Sequence, residues 1–350
     1  MCSIAMSTGS SPCRCGSARA RPERGRGGGD RPLPRPAGWR KAGETGRGIG
    51  GHGMTAAAIG IAGTGRMGTA FARRLRELGH EVAVWNRTPE RTGPACAAGA
   101  VAVADAGALA GCGTILLSLS DGAAVAAVLG DLARAGIGGR LVIDLSTLAP
   151  DEVVANGAQV AAAGGHYVEC PVGGTVAPAL KGQLLGFAGG EAADVARARP
   201  ILEGLCRRVE HLGPLGNGAR MKLAVNLPLA LYWVALGDAL RLVSGHGIAA
   251  DTIVSLIGES SGGPNVVRNR AQVVTDTLNG TDQPGTFDIA GLLKDLDLAR
   301  RVAAQEGGAL ALGDAARAAY EAAMAGGLGR YDGASLARMI AEGAGARRGS

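Results

Sequence analysis

From position 57 the chain alternates short apolar runs with helical patterns. An apolar run at 57–62 leads into a helical pattern over 67–78, a turn at Gly79-His80 and a second apolar run at 81–85. Two strands flanking a helix predict a right-handed parallel unit. Further apolar runs lie at 100–103, 114–119, 141–145, 167–170, 184–188 and 209–212, with Ala-rich helical stretches between most of them. This alternation predicts a doubly wound, mostly parallel sheet.

After Gly218 the strand pattern stops. Residues 219–245 read as one long helix with Leu223, Leu227, Ala230, Leu231, Val234, Leu240 and Val243 distributed around it, so neighbours should cover it on several sides. Pro228 should kink that helix or free a carbonyl. Further helices are predicted over 251–257, 266–278, 292–304 and 313–325. The expected organisation is an α/β domain over 54–215 and an all-helical domain over 216–343, joined by the long helix. No stretch of about 18 uncharged apolar residues occurs, which predicts no membrane span.

Composition changes this picture in two places. Aromatic residues are 3% of the chain against 47% hydrophobic, so the cores must be built from Ala, Leu, Val and Ile. The net charge of +6 comes from the start: residues 1–53 hold ten Lys or Arg against three acids, a net of +7, which leaves −1 for the rest. The folded body therefore gives no general case for a nucleic-acid partner. Residues 1–53 are rich in Gly, Arg, Pro and Ser, lack apolar periodicity and are expected to be a disordered basic tail. A start at Met54, directly before the first strand, is the preferred explanation of that tail, with a transit peptide as the alternative. Seven cysteines at irregular spacing predict reduced thiols in a cytoplasmic protein rather than a disulfide framework. The five histidines share no ligand spacing, so no metal site is expected.

The first strand breaks into Gly63-Thr64-Gly65-Arg66-Met67-Gly68, which opens the first helix. Gly63 permits a tight turn, Gly65 lets backbone approach a pyrophosphate, and Gly68 lets helix pack closely on strand. Free N–H groups at that helix start would face the phosphates. A Rossmann-type dinucleotide domain is the consequence. The second strand ends in Asn86-Arg87-Thr88, where an acidic residue would hold the ribose 2′-hydroxyl of NAD. None is present, and Arg87 suits a 2′-phosphate by charge and forked hydrogen bonds, which predicts NADP(H) over NAD(H).

These motifs resemble the β-hydroxyacid dehydrogenase family over residues 57 to about 340. Asp144-Leu145-Ser146-Thr147 is similar to the family's segment in which a Thr meets the nicotinamide side of the cofactor, and Leu119-Ser120 falls where the family has a Leu-Pro pair beside it. Gly216 to Asn226 resembles its glycine, glycine, catalytic lysine and asparagine pattern, with Lys222 and Asn226 in the last two places. Lys294-Asp295-Leu296 resembles its second lysine motif, which implies that Lys294 closes over the cofactor. Pro171-Val172-Gly173-Gly174-Thr175 resembles its substrate loop, with Gly173 where the family has serine; Gly174 and Thr175 keep backbone and hydroxyl donors for a carboxylate. The resemblance also implies a homodimer or homotetramer.

The chemistry is legible from the residues as well. Hydride transfer to a carbonyl carbon builds negative charge on oxygen, so a cation or acid must stabilise and protonate it. Lys222 meets that need from an otherwise apolar helix, Asn226 lies one turn on along the same face, and burial should lower the lysine's pKa. Asp295 and Asp297 read as helix-end or surface partners, and Cys170 as a buried thiol. The expected activity is NADPH-dependent reduction of a short aldehyde or 2-oxo acid, a small carboxylate substrate. Two alternatives are an imine reductase, against which Lys222 argues, and a non-catalytic dinucleotide-fold protein with a nucleic-acid-binding tail.

Overall fold

The computed structural model describes residues 57–343, and the expectations for residues 1–53 and Met54 lie outside them. Six strands, β1 (Ile59–Ala62), β2 (Val82–Trp85), β3 (Val101–Ala102), β4 (Thr114–Leu117), β5 (Leu141–Asp144) and β6 (His166–Glu169), form a sheet in the order 3-2-1-4-5-6. Every pair in it is parallel. Helices α1 (Arg66–Glu77), α2 (Gly93–Cys96), α3 (Gly122–Ala135), α4 (Pro150–Ala162), α5 (Val176–Leu180) and α6 (Ala192–Leu205) belong to this half of the chain. Buried apolar residues fill a core on each face of the sheet, among them Ile61 and Phe71 on one side and Leu117 and Leu129 on the other. The strand order reverses between β1 and β4, and the crevice beyond their carboxyl ends is where such sheets bind ligands.

The last three strands depart from the single sheet expected from sequence. β7 (Val172–Gly173), β8 (Leu184–Ala188) and β9 (Cys206–His211) form a separate sheet, antiparallel between the first pair and parallel between the second. Pro171, two residues past the end of β6, has no N–H to extend a ladder, so the chain turns away. β7 is only two residues long, too short for its alternation to be seen, and it falls in what the sequence presents as a loop.

The helical half begins at α7 (Asn217–Arg241) and continues through α8 (Ala250–Glu259), α9 (Asn265–Asn269), α10 (Ala271–Leu278), α11 (Ile289–Gln305), α12 (Ala311–Ala325) and α13 (Gly333–Ala341). Pro228 does not end α7; it lies on the exposed side and removes one backbone hydrogen bond. Among the described residues α7 alone is long and apolar enough to cross a membrane. Here α11, α12 and α13 pack on it. Two predictions are corrected. The helix expected over 266–278 is two helices, broken at Arg270, whose φ of −121° and ψ of 16° are not helical. α13 was not foreseen; it packs at Gly237, where a Cβ would stand 2.7 Å from the Cβ of Ile340.

Candidate active site

The turn after β1 has the form its glycines imply. Gly63 has φ +95°, and a Cβ there would lie 2.3 Å from the carbonyl oxygen of Ser118. At Gly68 a Cβ would lie 1.8 Å from the carbonyl oxygen of Gly63, so helix and turn meet only because it is absent. Gly65 differs: a Cβ there meets nothing within 4 Å, so no protein contact requires glycine. α1 begins without a side-chain cap or an acid in its first turn, and the buried hydroxyl of Thr64 has no partner. Uncapped N–H groups, an unpartnered hydroxyl and open space above Gly65 suit the phosphates of a dinucleotide.

Asn86 shapes this turn, accepting from the Thr64 N–H at 3.1 Å and donating to the Thr88 carbonyl at 2.9 Å. Arg87 and Thr88 are exposed at the end of β2. Arg66 points elsewhere than a phosphate site requires. Its guanidinium donates to the Gly285 carbonyl and to Asp288 Oδ2, the latter at 2.8 Å, so it bridges to the loop before α11.

A cavity of about 610 Å³ opens between the ends of β4 and β5, α7 and the start of α11. Met67, Leu119, Ser120, Thr147, Gly174, Thr175, Lys222, Asn226 and Lys294 line it, as does Arg66. Gly63, Gly65, Gly68, Asn86, Arg87 and Thr88 lie outside its walls, along the turns after β1 and β2. Gly173 is outside as well: in β7 it pairs with Leu185 of β8, and a Cβ there would rest 3.5 Å from Leu185 and Phe187. The predicted substrate segment is thus half strand, and Val172, Gly174 and Thr175 are its cavity-lining residues.

Lys222 is 9% exposed, and its Nζ donates to Asn226 Oδ1 at 3.3 Å. Burial pushes its pKa below the usual lysine range, opposed by the nearby Asp295 charge and reinforced by Lys294. Asn226 in turn donates to Asp295 Oδ2 at 2.7 Å. Lys294 stands 3.5 Å from the other Asp295 oxygen and donates to the carbonyls of Thr147 at 2.8 Å and Ser120 at 3.2 Å. It thereby ties α11 to the two loops that follow β4 and β5. The Ser120 hydroxyl is engaged with Asp121, the N-cap of α3, at 2.6 Å.

Two buried acids hold the frame. Asp144 accepts from the Ser146 N–H at 2.9 Å and the Tyr167 hydroxyl at 2.8 Å, while Ser146 Oγ accepts from the Leu119 N–H at 3.0 Å, so the cavity loops are linked. Glu169 ends β6 and caps α7 from outside the helix. Its carboxylate accepts from the N–H groups of Gly216, of Gly218 at 3.0 Å and of Ala219 at 2.8 Å, one turn before Lys222. Burial raises the Glu169 pKa to about 7, against the lowering by those three bonds.

Comparison with known proteins places the chain in a family. Residues 58–213 match the NAD-binding domain of 6-phosphogluconate dehydrogenase, and residues 216–340 match the NAD-binding region of NADP-dependent 3-hydroxyisobutyrate dehydrogenase. The 3-hydroxyisobutyrate dehydrogenase of Pseudomonas aeruginosa is 31% identical over 69% of this chain and 83% of its own length. The chain belongs to the β-hydroxyacid dehydrogenase family. Glyoxylate/succinic semialdehyde reductase 1 of Arabidopsis thaliana is 29% identical over 78% of this chain and 95% of its own. The solved 3-hydroxyisobutyrate dehydrogenase of Mycobacterium tuberculosis with L-serine superposes with a TM-score of 0.72 at 27% identity, covering 82% of this chain and 99% of that one. This member of the β-hydroxyacid dehydrogenase family is an oxidoreductase of the NAD(P)-dependent 3-hydroxyacid dehydrogenase type.

Sequence reasoning missed two residues of this site. Asp295 is a buried partner of Asn226 rather than a helix-end or surface acid; its place between Leu292 and Ala299 on the apolar stripe of α11 was the available signal. Asp297 does form the surface pairs expected, with Arg300 and Arg317. Glu169 left only the trace of an acid inside an apolar strand.

Proposed function

We propose that this protein reduces the carbonyl of a small acid-bearing aldehyde or 2-oxo acid with NADPH, and runs the oxidation of the corresponding hydroxy acid, a 3-hydroxy acid for a three-carbon semialdehyde, in reverse. When bound, the reduced nicotinamide supplies the hydride. Lys222 gives its proton to the carbonyl oxygen as charge develops there, and Asn226 holds the ammonium in place. Asp295 favours the protonated amine, and Lys294 keeps the loops of Ser120 and Thr147 together beside it. Gly174 and Thr175 offer donors to the substrate's acid group. The observation that carries this reading is a lysine buried in the cavity wall, hydrogen-bonded to Asn226, with its pKa lowered toward the working range.

Arg87 supports the preference for NADP(H). Met221 at 40% and Val225 at 43% exposure leave an apolar stripe on α7, which supports a homodimer or homotetramer pairing through the helical half. We place the protein in the cytoplasm, where the free thiols of Cys112, Cys170 and Cys206 are at home.

The test is NADPH oxidation against glyoxylate, succinic semialdehyde, other 2-oxo acids and a cyclic imine, with wild type and Lys222→Ala. Turnover of the oxo acids, abolished in the variant while NADPH still binds, is the expected result. Turnover of the imine alone, or substantial activity in Lys222→Ala, would falsify it.

A further inference from the structure

The cavity is longer than a two- or three-carbon acid needs. Lys222, Asn226, Leu229 and Trp233 all line it from one face of α7, a span of about 16 Å at the helical rise per residue. Trp233 lies against Gly333, where a Cβ would stand 2.4 Å from its indole nitrogen. The residue before Gly333 is Asp332, which accepts from the Arg270 guanidinium. Arg270 thus lines the cavity at the end remote from Lys222. Leu229, Val266 and Phe287 add apolar surface to the walls.

Four cations line this cavity, and three are committed. Lys222 belongs to the proton transfer, Lys294 is held by two carbonyls, and Arg66 by Gly285 and Asp288. Arg270 makes its bond to Asp332 and a long one to Thr286 Oγ1 at 3.3 Å, while its buried Nε has no partner. Its planar fork has five N–H donors, so it retains capacity for a second carboxylate. The break between α9 and α10 places it there.

Building on the carbonyl-reducing function above, we infer that the Arg270 end is a subsite for a terminal carboxylate and that the preferred substrates are ω-oxo acids of five or six carbons. For such a chain the carbonyl lies at Lys222, the methylenes against Leu229 and Phe287, and the acid at Arg270, whereas Gly174 and Thr175 serve the acid of a shorter substrate.

Two measurements test this. Steady-state kinetics with NADPH compare glyoxylate, succinic semialdehyde, 6-oxohexanoate and hexanal; calorimetry measures binding of adipate to the same protein. We expect kcat/KM for 6-oxohexanoate to exceed that for glyoxylate and for hexanal by at least thirtyfold each. In Arg270→Gln/Asp332→Asn, which removes both charges and leaves no buried carboxylate unpaired, the ratio to hexanal falls to about one, through KM, and adipate binding weakens at least tenfold. Arg270→Lys, which keeps the charge opposite Asp332, lowers the ratio partway. A preference for glyoxylate, or an unchanged ratio in the double variant, overturns the subsite. If no aldehyde is reduced, the reaction is wrong, and adipate binding that depends on Arg270 still upholds the subsite; adipate binding that ignores Arg270 refutes it.

Discussion

Asn226 donates to Asp295 Oδ2 at 2.7 Å and so joins α7 to α11 inside the cavity wall. Because Lys222 donates to the same asparagine, the charge on Asp295 reaches the lysine through one intervening side chain as well as through space. The motif that presents Lys294 therefore also carries an acid that governs the lysine of the other motif.

The Asp295 charge favours the Lys222 ammonium, against burial. The proposed reduction draws on the protonated amine, so its rate should fall as pH rises through the lysine's pKa. Asp295→Asn removes the favourable charge, lowers that pKa further and moves the fall to lower pH, with kcat/KM at neutral pH reduced about tenfold or more. A pH profile of kcat/KM with the same falling limb in both proteins would remove Asp295 from control of Lys222.

The two glycines at the head of α1 separate ligand from fold. Gly68→Ala drives a Cβ into the Gly63 carbonyl and should cost about 3 kcal/mol, read as a lower thermal midpoint. Gly65→Ala meets no protein atom, so its midpoint should stay within about 2 °C of wild type while NADPH binding weakens about tenfold or more. Undiminished NADPH affinity in Gly65→Ala contradicts a phosphate above this residue.

Glu169 titrates near 7 in the folded protein against an ordinary 4.5. Between those values the folded state keeps a proton that the unfolded chain has lost. The group's contribution to stability is therefore full below pH 4.5 and declines by roughly 3 kcal/mol as pH rises to 7, then stays level. Glu169→Gln should flatten this part of the pH dependence, measured by denaturant unfolding from pH 4.5 to 8. Parallel curves for the two proteins contradict the raised pKa. The variant should also lower kcat more than it raises KM for NADPH, because one side of the Gln amide cannot accept from the α7 N–H groups that set the position of Lys222.

Arg87 is exposed just past the end of β2. Arg87→Asp should raise the KM for NADPH at least tenfold and that for NADH far less, since only the former carries a 2′-phosphate. Equal changes for the two cofactors refute the assignment.

Local pattern made much of this molecule legible. Strand and helix periods depend on neighbouring residues, so β1 to β6 and the run of α7 follow from the order of apolar and polar positions. The glycines of the β1–α1 turn are likewise local: Gly63 is needed for its own φ and Gly68 for contact with a residue five places earlier. Lys222 and Asn226 could be put on one helical face from their spacing alone, and Arg87 at a strand end.

What the pattern could not contain was contact between distant segments. Glu169 reaches the start of α7 across 47 to 50 positions, and Asp295 reaches Asn226 across 69, because folding brings their elements together in a dry interior where an acid must find donors. Contacts between separate segments also pair Arg66 with Asp288, Gly173 with Leu185 and Arg270 with Asp332. Spacing alone determined the dinucleotide turn and the lysine; tertiary packing decided which acid tunes that lysine and which distant side chains share its cavity.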